Sequence, residues 1–352
     1  MTMAAQRDSI TAEILGALPQ AVDPFALSLN ENPFPPLRAV RKALIKSIDA
    51  ANRYPEFLPQ RLRRLIADHI GLPEEQVVLG AGATGVVMHV LQALTYLGDT
   101  MVMASPTFDG YPIIASIARL IPVTVPLDEH GHHNLDALAD AAAAARVVVL
   151  CRPHNPTGTM ESAVEVMRFL QQIPRDTIVV LDEAYVEFAA AEQRINAAAL
   201  VARFPNVVVV RTFSKAYGLA GLRIGYGIGS PELTRALWTK QLPFGIASTA
   251  LLAVAASYAA ESELLKRVRL ITAERRYLQK QLSAMGIYST DAHANFVYLP
   301  SRGRPWREVL ADSGLQVRYY SDGGARITVG SRTSSLAVLS VMEKKVREAT
   351  RR

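Results

Sequence analysis

Cysteine is nearly absent: one residue, Cys151, in a chain of 352. That excludes an intramolecular disulfide framework and a multi-cysteine metal site. No stretch of about 18 apolar residues runs free of a charge, glycine or proline, which excludes a membrane-spanning helix. The opening MTMAAQRDSITAEIL lacks a positively charged start followed by an apolar core, so a secretory signal is not expected. Clusters of one charge are also missing. Lysine and arginine number 38 against 32 acids, a net charge of +6, and the bases are scattered. Such a balance suits an anionic small ligand and argues against nucleic acid. No repeat of fixed period occurs, and the Ala-rich ALADAAAAARVVV reads as a helix running into a buried strand. What the chain has in quantity is apolar side chains: half the residues are hydrophobic and 20% are charged, enough for a substantial core. A soluble, cytoplasmic protein is expected, with neither a membrane nor nucleic acid as partner.

The length allows one large α/β unit with a smaller domain appended. The first 35 residues read as irregular, ending in LNENPFPP, whose prolines forbid a continuous helix. Residues 37–51 and 58–70 have helical apolar spacing. From about residue 77, the β-branched runs QVVLG, TMVMAS, RVVVLC, TIVVLD and NVVVVRTF alternate with helix-like segments. Continuous apolar strands are buried on both faces, which predicts a mainly parallel sheet covered by helices. A long helical stretch at 248–285 follows, then ANFVYLP, a short helix, LQVRYY, ARITVG and a last helix at 334–349. The expected organisation is an N-terminal arm at 1–35 joining the small domain, a large α/β domain at 36–260, and a small α+β domain at 261–352.

Four strand ends carry chemistry. Gly80-Ala81-Gly82-Ala83-Thr84-Gly85 lies between a strand and a helix and fits G-x-G-x-x-G, a pattern that lets backbone N–H groups approach a phosphate. A nicotinamide site also requires an acid closing the next strand. Asp99 is at the right distance but precedes that strand, so another phosphate-bearing cofactor is the better reading. Lys215 follows NVVVVRTF in a glycine-rich loop, where desolvation lowers an amine's pKa and suits it to attack a carbonyl. Arg223, eight residues on, offers a guanidinium fork for phosphate. Asp182 closes TIVVLD, and Asn155 follows RVVVLC in a Pro-Gly turn. Each residue alone reads as a cap, a turn or a loop lysine; four strand ends converging on one sheet edge describe a site. His130, His132 and His133 in DEHGHHNLD read as solvated turn residues, and no metal is expected.

The segments LNENPFPP, NRYPE, CRPHNPTG, LDEAYVEF, RTFSKAYGLAGLRIGY, ANFVYLP and ARITVG resemble those of the histidinol-phosphate and aromatic aminotransferases. These are pyridoxal-phosphate enzymes of fold type I, and the resemblance runs in order from about residue 27 to the C-terminus. It implies that Lys215 bonds the cofactor aldehyde and then moves the proton at the substrate Cα. Asp182 would pair with the pyridine nitrogen, making the ring an electron sink. Asn155 and Tyr185 would hydrogen-bond the phenolic oxygen, and Phe108 would stack on the ring. The phosphate would take N–H groups of Ala83 and Thr84, the hydroxyls of Thr212 and Ser214, and Arg223. Tyr54 would reach the phosphate of a neighbouring subunit, making the protein a homodimer. Arg326 would grip the substrate carboxylate, and Asn30 would line the substrate side.

The implied activity is transfer of an amino group from a donor to a 2-oxo acid such as 2-oxoglutarate. Two features bear on the donor. Arg318 in LQVRYY would add a second positive charge for a distal phosphate, which favours histidinol phosphate. Against it, the Pro-Tyr segment usual before LNENP in the histidinol-phosphate enzymes is replaced here, with Phe25 and no tyrosine. Phenylalanine or tyrosine is therefore the alternative donor. Ala83-Thr84-Gly85 also stands where many members have Ser-Asp-Glu. A nicotinamide-dependent oxidoreductase is a remote alternative that leaves Lys215, Asp182 and Asn155 unexplained.

Overall fold

The computed structural model describes residues 19–350. The first 18 residues, which include half of the expected N-terminal arm, lie outside the described residues, as do 351–352. Among the described residues, no helix is long and apolar enough to cross a membrane.

Seven strands form the main sheet: β1 (Val77–Ala81), β2 (Thr100–Ser105), β3 (Ile121–Pro126), β4 (Val147–Cys151), β5 (Ile178–Asp182), β6 (Val207–Thr212) and β7 (Ile224–Ile228). Their order is β1-β7-β6-β5-β4-β2-β3. All neighbours are parallel except around β7, which is antiparallel to both β1 and β6. Side chains of β4, β5 and β6 alternate between two cores. Val148, Leu150, Val179 and Val209 face one helical layer, while Val147, Val149, Val180 and Val210 face the other. Both faces are therefore dry, which is why these strands are continuously apolar in sequence.

Two strands depart from that pattern. β3 was not legible as a strand because it carries Pro122 and Pro126 and buries one residue of six. It sits at the sheet edge, where a missing N–H costs no ladder bond. β7 reads IGYGI, and its glycines serve close packing: a Cβ on Gly225 would collide with the backbone of Gly82.

A second, antiparallel sheet holds β8 (Phe296–Leu299), β9 (Arg318–Tyr319) and β10 (Ala325–Thr328) in the order β8-β10-β9. The helices Glu261–Ala284 and Arg332–Thr350 accompany it, and Leu27, Leu278, Val297, Ile327 and Val338 share its core. The expected helical stretch at 248–285 is two helices, Ser248–Ala259 and Glu261–Ala284, separated at Ala260. The N-terminal segment joins this sheet through backbone bonds. The Leu27 N–H donates to Gln316 at 2.9 Å, and the Thr328 N–H donates to Leu27 at 2.9 Å. This pairing carries Ser28, Leu29 and Asn30 to the edge of the main sheet.

Candidate active site

The C-terminal ends of β4, β5 and β6 open into a cavity of about 320 Å³. Its lining includes Asn30, Ala83, Thr84, Phe108, Asn155, Asp182, Tyr185, Thr212, Ser214, Lys215, Arg223, Arg318 and Arg326. The structure thus brings together every site residue expected from sequence except Tyr54. Tyr54 is 83% exposed and packs on Phe244 with ring centroids 4.8 Å apart.

One end of the cavity is an anion cup. The helix Gly82–Leu94 starts there, and its N-cap, Ala81, makes no side-chain cap hydrogen bond. First-turn N–H groups without a cap, together with the helix dipole, favour an anion. Gly82 has φ +76°, and a Cβ there would strike the Arg223 guanidinium, so glycine lets the arginine lie against the helix start. Arg223 donates to the Ala220 carbonyl at 3.0 Å and the Ser214 hydroxyl at 3.4 Å, and has no carboxylate partner among the described residues. The Thr212 hydroxyl donates to Ser214 Oγ at 3.0 Å. Cationic fork, hydroxyls and free amides converge with no acid among them.

Beyond the cup lies a buried acid. Asp182 is 6% exposed. Its Oδ1 accepts the Ala184 N–H at 2.9 Å, and its Oδ2 accepts the hydroxyl of Tyr111. Burial raises its pKa, and the Tyr111 bond opposes that rise without cancelling it. A desolvated carboxylate of this kind is matched by a cationic N–H. Tyr111 is a buried core aromatic. Its phenol also fixes Asp182, a role that no local pattern signals.

Lys215 follows β6 and turns its Nζ toward the N-terminal segment, donating to the carbonyls of Leu29 at 3.0 Å and Asn30 at 3.3 Å. Burial, reinforced by Arg326, lowers its pKa to about 8. About a tenth of the amine is therefore uncharged at pH 7, far more than for an ordinary lysine, and the neutral form is the one that attacks a carbonyl or accepts a proton. Tyr185 is buried and accepts the Asn30 amide N–H at 3.0 Å; burial holds its phenol well above the usual range, so it stays a donor. Asn30 adopts φ 54°, a left-handed turn that asparagine tolerates and that aims its amide at Tyr185.

At the small-sheet end, two arginines behave differently. Arg326, on β10, is 6% exposed. It donates to Asn155 Oδ1 and to the Ser28 carbonyl, each at 2.5 Å, and its buried Nε has no partner. It has no carboxylate within salt-bridge distance among the described residues. Arg318, on β9, is already engaged: its Nη2 lies 2.8 Å from Asp109 Oδ2 and its Nε 3.0 Å from the same oxygen. The sequence offers Arg318 as a second positive charge for a distal phosphate. It does line the cavity with Arg326, and there it is paired with Asp109.

The histidine reading is corrected in part. His130 is exposed and His132 half-buried, but His133 is buried, with Nδ1 2.8 Å from the buried Glu161 carboxylate. Its ring meets His154 edge-on at 4.4 Å, and Thr157 and Thr159 both donate to the Gly131 carbonyl. This cluster ties the 128–134 loop to the loop carrying Asn155. Among the described residues, no group of three metal-ligating side chains could hold an ion.

An anion cup, a buried acid, an amine of lowered pKa and an unpaired guanidinium line one cavity at the strand ends, a donor set that fits pyridoxal 5′-phosphate with an amino-acid substrate. The fold and this set define a fold type I pyridoxal-phosphate transferase. The sequence of residues 22–339 matches aminotransferase class I and II. The chain belongs to that family, is an aminotransferase, and uses pyridoxal 5′-phosphate. It is 41% identical over 307 residues to an aromatic amino acid aminotransferase of Cutibacterium acnes, covering 86% of this chain and 87% of that protein. It is 40% identical over 337 residues to another aromatic amino acid aminotransferase, of Rhodococcus opacus, covering 95% and 93%. Among solved structures it is similar to histidinol-phosphate aminotransferase from Sinorhizobium meliloti in complex with pyridoxal-5′-phosphate. That match has a TM-score of 0.86 at 25% identity and covers 92% of this chain and 91% of that one.

Proposed function

We propose that this aminotransferase takes phenylalanine or tyrosine as amino donor and a 2-oxo acid such as 2-oxoglutarate as acceptor. The observation that carries this reading is the contrast between the two arginines: Arg326 is buried with an unpartnered Nε, whereas Arg318 is paired with Asp109. One buried guanidinium with neutral partners and no carboxylate suits one α-carboxylate, and an aromatic side chain needs no second cation. Relatives 36–41% identical that carry the name aromatic amino acid aminotransferase support the same donor class. The preference for histidinol phosphate drawn from sequence rests on two positive charges facing a dianion, and Asp109 offsets one of them.

Pyridoxal phosphate, when bound, supplies an aldehyde that bonds the amino nitrogen and a ring that accepts electrons from Cα. Thr212, Ser214, Arg223 and the amides of Ala83 and Thr84 would hold its phosphate. Asp182, fixed by Tyr111, would hold a proton on the ring nitrogen, while Asn155 and Tyr185 would donate to the ring oxygen. Phe108 would cover the ring face. Arg326 orients the carboxylate, with Asn30 beside it, and the Lys215 amine takes and returns the proton at Cα. Oriented acid–base groups of this kind typically supply about 10²–10⁴ in rate.

Histidinol phosphate remains the second reading, favoured by the Sinorhizobium meliloti structure. The deciding measurement is kcat/KM for phenylalanine, tyrosine and histidinol phosphate with 2-oxoglutarate as acceptor. Phenylalanine or tyrosine is expected to lead; a lead for histidinol phosphate would refute the aromatic reading.

The protein is further proposed to act as a homodimer. Tyr54, Phe57, Leu242 and Phe244 are all exposed, and Phe244 packs between the two other rings. Contiguous exposed apolar surface of this kind marks an association face. Tyr54 would then serve the phosphate of the partner subunit. Sedimentation at assay concentration should give a dimer, and Tyr54→Phe should weaken cofactor retention by about 1.5–3 kcal/mol, the worth of a hydrogen bond to a charged group. A fully active monomer would exclude the shared site.

A further inference from the structure

We propose that a groove between the helix Glu261–Ala284 and residues 187–194 and 291–293 is a second binding site, which takes a compact polyanion bearing phosphate or carboxylate groups. The groove encloses about 560 Å³ and shares no lining residue with the active-site cavity. It stands whichever amino donor the enzyme prefers.

The walls come from distant parts of the chain. Residues 187–194 follow β5 of the main sheet, and residues 291–293 lead into β8 of the second sheet. Arg269 and Arg276 lie about two turns apart along one face of the helix between them. With Arg194 and Arg275 they make a lining of four arginines against two acids, Glu187 and Asp291. Those acids do little to balance them. Asp291 is bonded to His293 at 3.3 Å. Glu187 is buried, and burial raises its carboxyl to about 7, so it carries only part of a charge near neutral pH. Two acids of the helix are engaged outside the groove, Glu263 with Arg267 at 2.9 Å and Glu274 with Arg332 at 3.0 Å. Arg194 is held by neutral groups alone. Its Nε donates to the Ala189 carbonyl at 3.1 Å and its Nη2 to the Glu187 carbonyl at 3.0 Å, which place its charge without neutralising it.

Arg275 separates this groove from an ordinary solvated basic face. It is 4% exposed. Its Nη1 donates to the Ala294 carbonyl at 2.7 Å, while its buried Nε has no hydrogen-bond partner. Among the described residues no carboxylate lies within salt-bridge distance of it. Burial, and then the like charge of Arg276, draws its guanidinium down to about 10. A desolvated cation without a counter-charge is costly, and an anion in the groove would offset both that cost and the repulsion from Arg276. Guanidinium forks match phosphate and carboxylate geometry, and four of them around one groove suit a ligand with more than one negative charge.

The test is titration calorimetry of the holoenzyme in buffer free of other polyanions, with inorganic phosphate and citrate as separate probes. At least one probe should bind saturably, and which of them does so identifies the anionic group preferred. Arg275→Gln should weaken that binding by about tenfold or more, and so should Arg269→Gln combined with Arg276→Gln. The kcat/KM for phenylalanine in the same buffer should stay near wild type in every variant, since none of these residues lines the active-site cavity. Arg269 and Arg276 are exposed, so the double variant decides the matter even if Arg275→Gln fails to fold. The bound probe should also raise the melting temperature of wild type and lose that effect in the variants. An affinity that the substitutions leave unchanged places the anion elsewhere and overturns the proposal, as does the absence of saturable binding by either probe.

Discussion

Replacing Lys215 with alanine is expected to lower kcat by at least about a thousandfold while the protein still retains pyridoxal phosphate noncovalently. The two outcomes separate because the residues divide between them. The cup around Arg223, Thr212 and Ser214 and the buried Asp182 are untouched by the substitution, whereas the amine of lowered pKa is removed. No other side chain stands ready to replace it. Tyr185 lies close, with its ring centroid 5.8 Å from the Lys215 Nζ, but burial holds its phenol well above the usual range, so it stays protonated and does not take up the proton. The check is turnover measured beside cofactor absorbance after gel filtration. Turnover within about tenfold of wild type would remove Lys215 from the chemistry.

Asp182→Asn should come next in severity, with kcat reduced by about 10²–10³ and thermal stability nearly unchanged. Losing one member of a buried charge pair costs about 3–5 kcal/mol, and that loss falls on the loaded enzyme, where the carboxylate would face the ring nitrogen. In the protein alone, Asp182 is a desolvated acid whose pKa burial has raised, so neutralising it relieves a cost. The amide oxygen can accept the Ala184 N–H while the amide N–H donates to the Tyr111 oxygen, which avoids a buried orphan worth about 1–3 kcal/mol. Activity and melting temperature measured on the same preparation distinguish the roles. A large fall in melting temperature with kcat preserved would make Asp182 a structural residue.

How much of this could be read from the chain depends on whether a signal is local. Lys215, Asp182 and Asn155 were legible because each follows a run of buried β-branched residues, and the ends of parallel strands gather on one edge. β3 was not, since prolines and exposure erase the apolar run that marks its neighbours. Tyr111 is buried in the apolar helix Gly110–Ile117, so its sequence context announces core packing and hides the bond to Asp182. His133 sits among polar residues that suggest solvent, yet Glu161, 28 residues later, folds over it. Arg318 is the sharpest case. Its charge was visible, but the acid that neutralises it lies 209 residues earlier, and no spacing rule connects them.

The antiparallel placement of β7 bears on how the protein is made. The phosphate cup takes one half from the start of the helix after β1 and the other from the loop between β6 and β7. Those halves are joined by the β1–β7 ladder, in which Ala81 pairs with Ile224. When β1 emerges during synthesis, the strand that must lie beside it has yet to be translated. Until then β1 has no partner on either side, and its pairing requires closure of a very long loop. An apolar strand waiting in that condition is exposed to pairing with other chains. The part of the molecule built to hold the cofactor thus stays open until β7 has been made, and is exposed to mispairing while the nascent chain is incomplete.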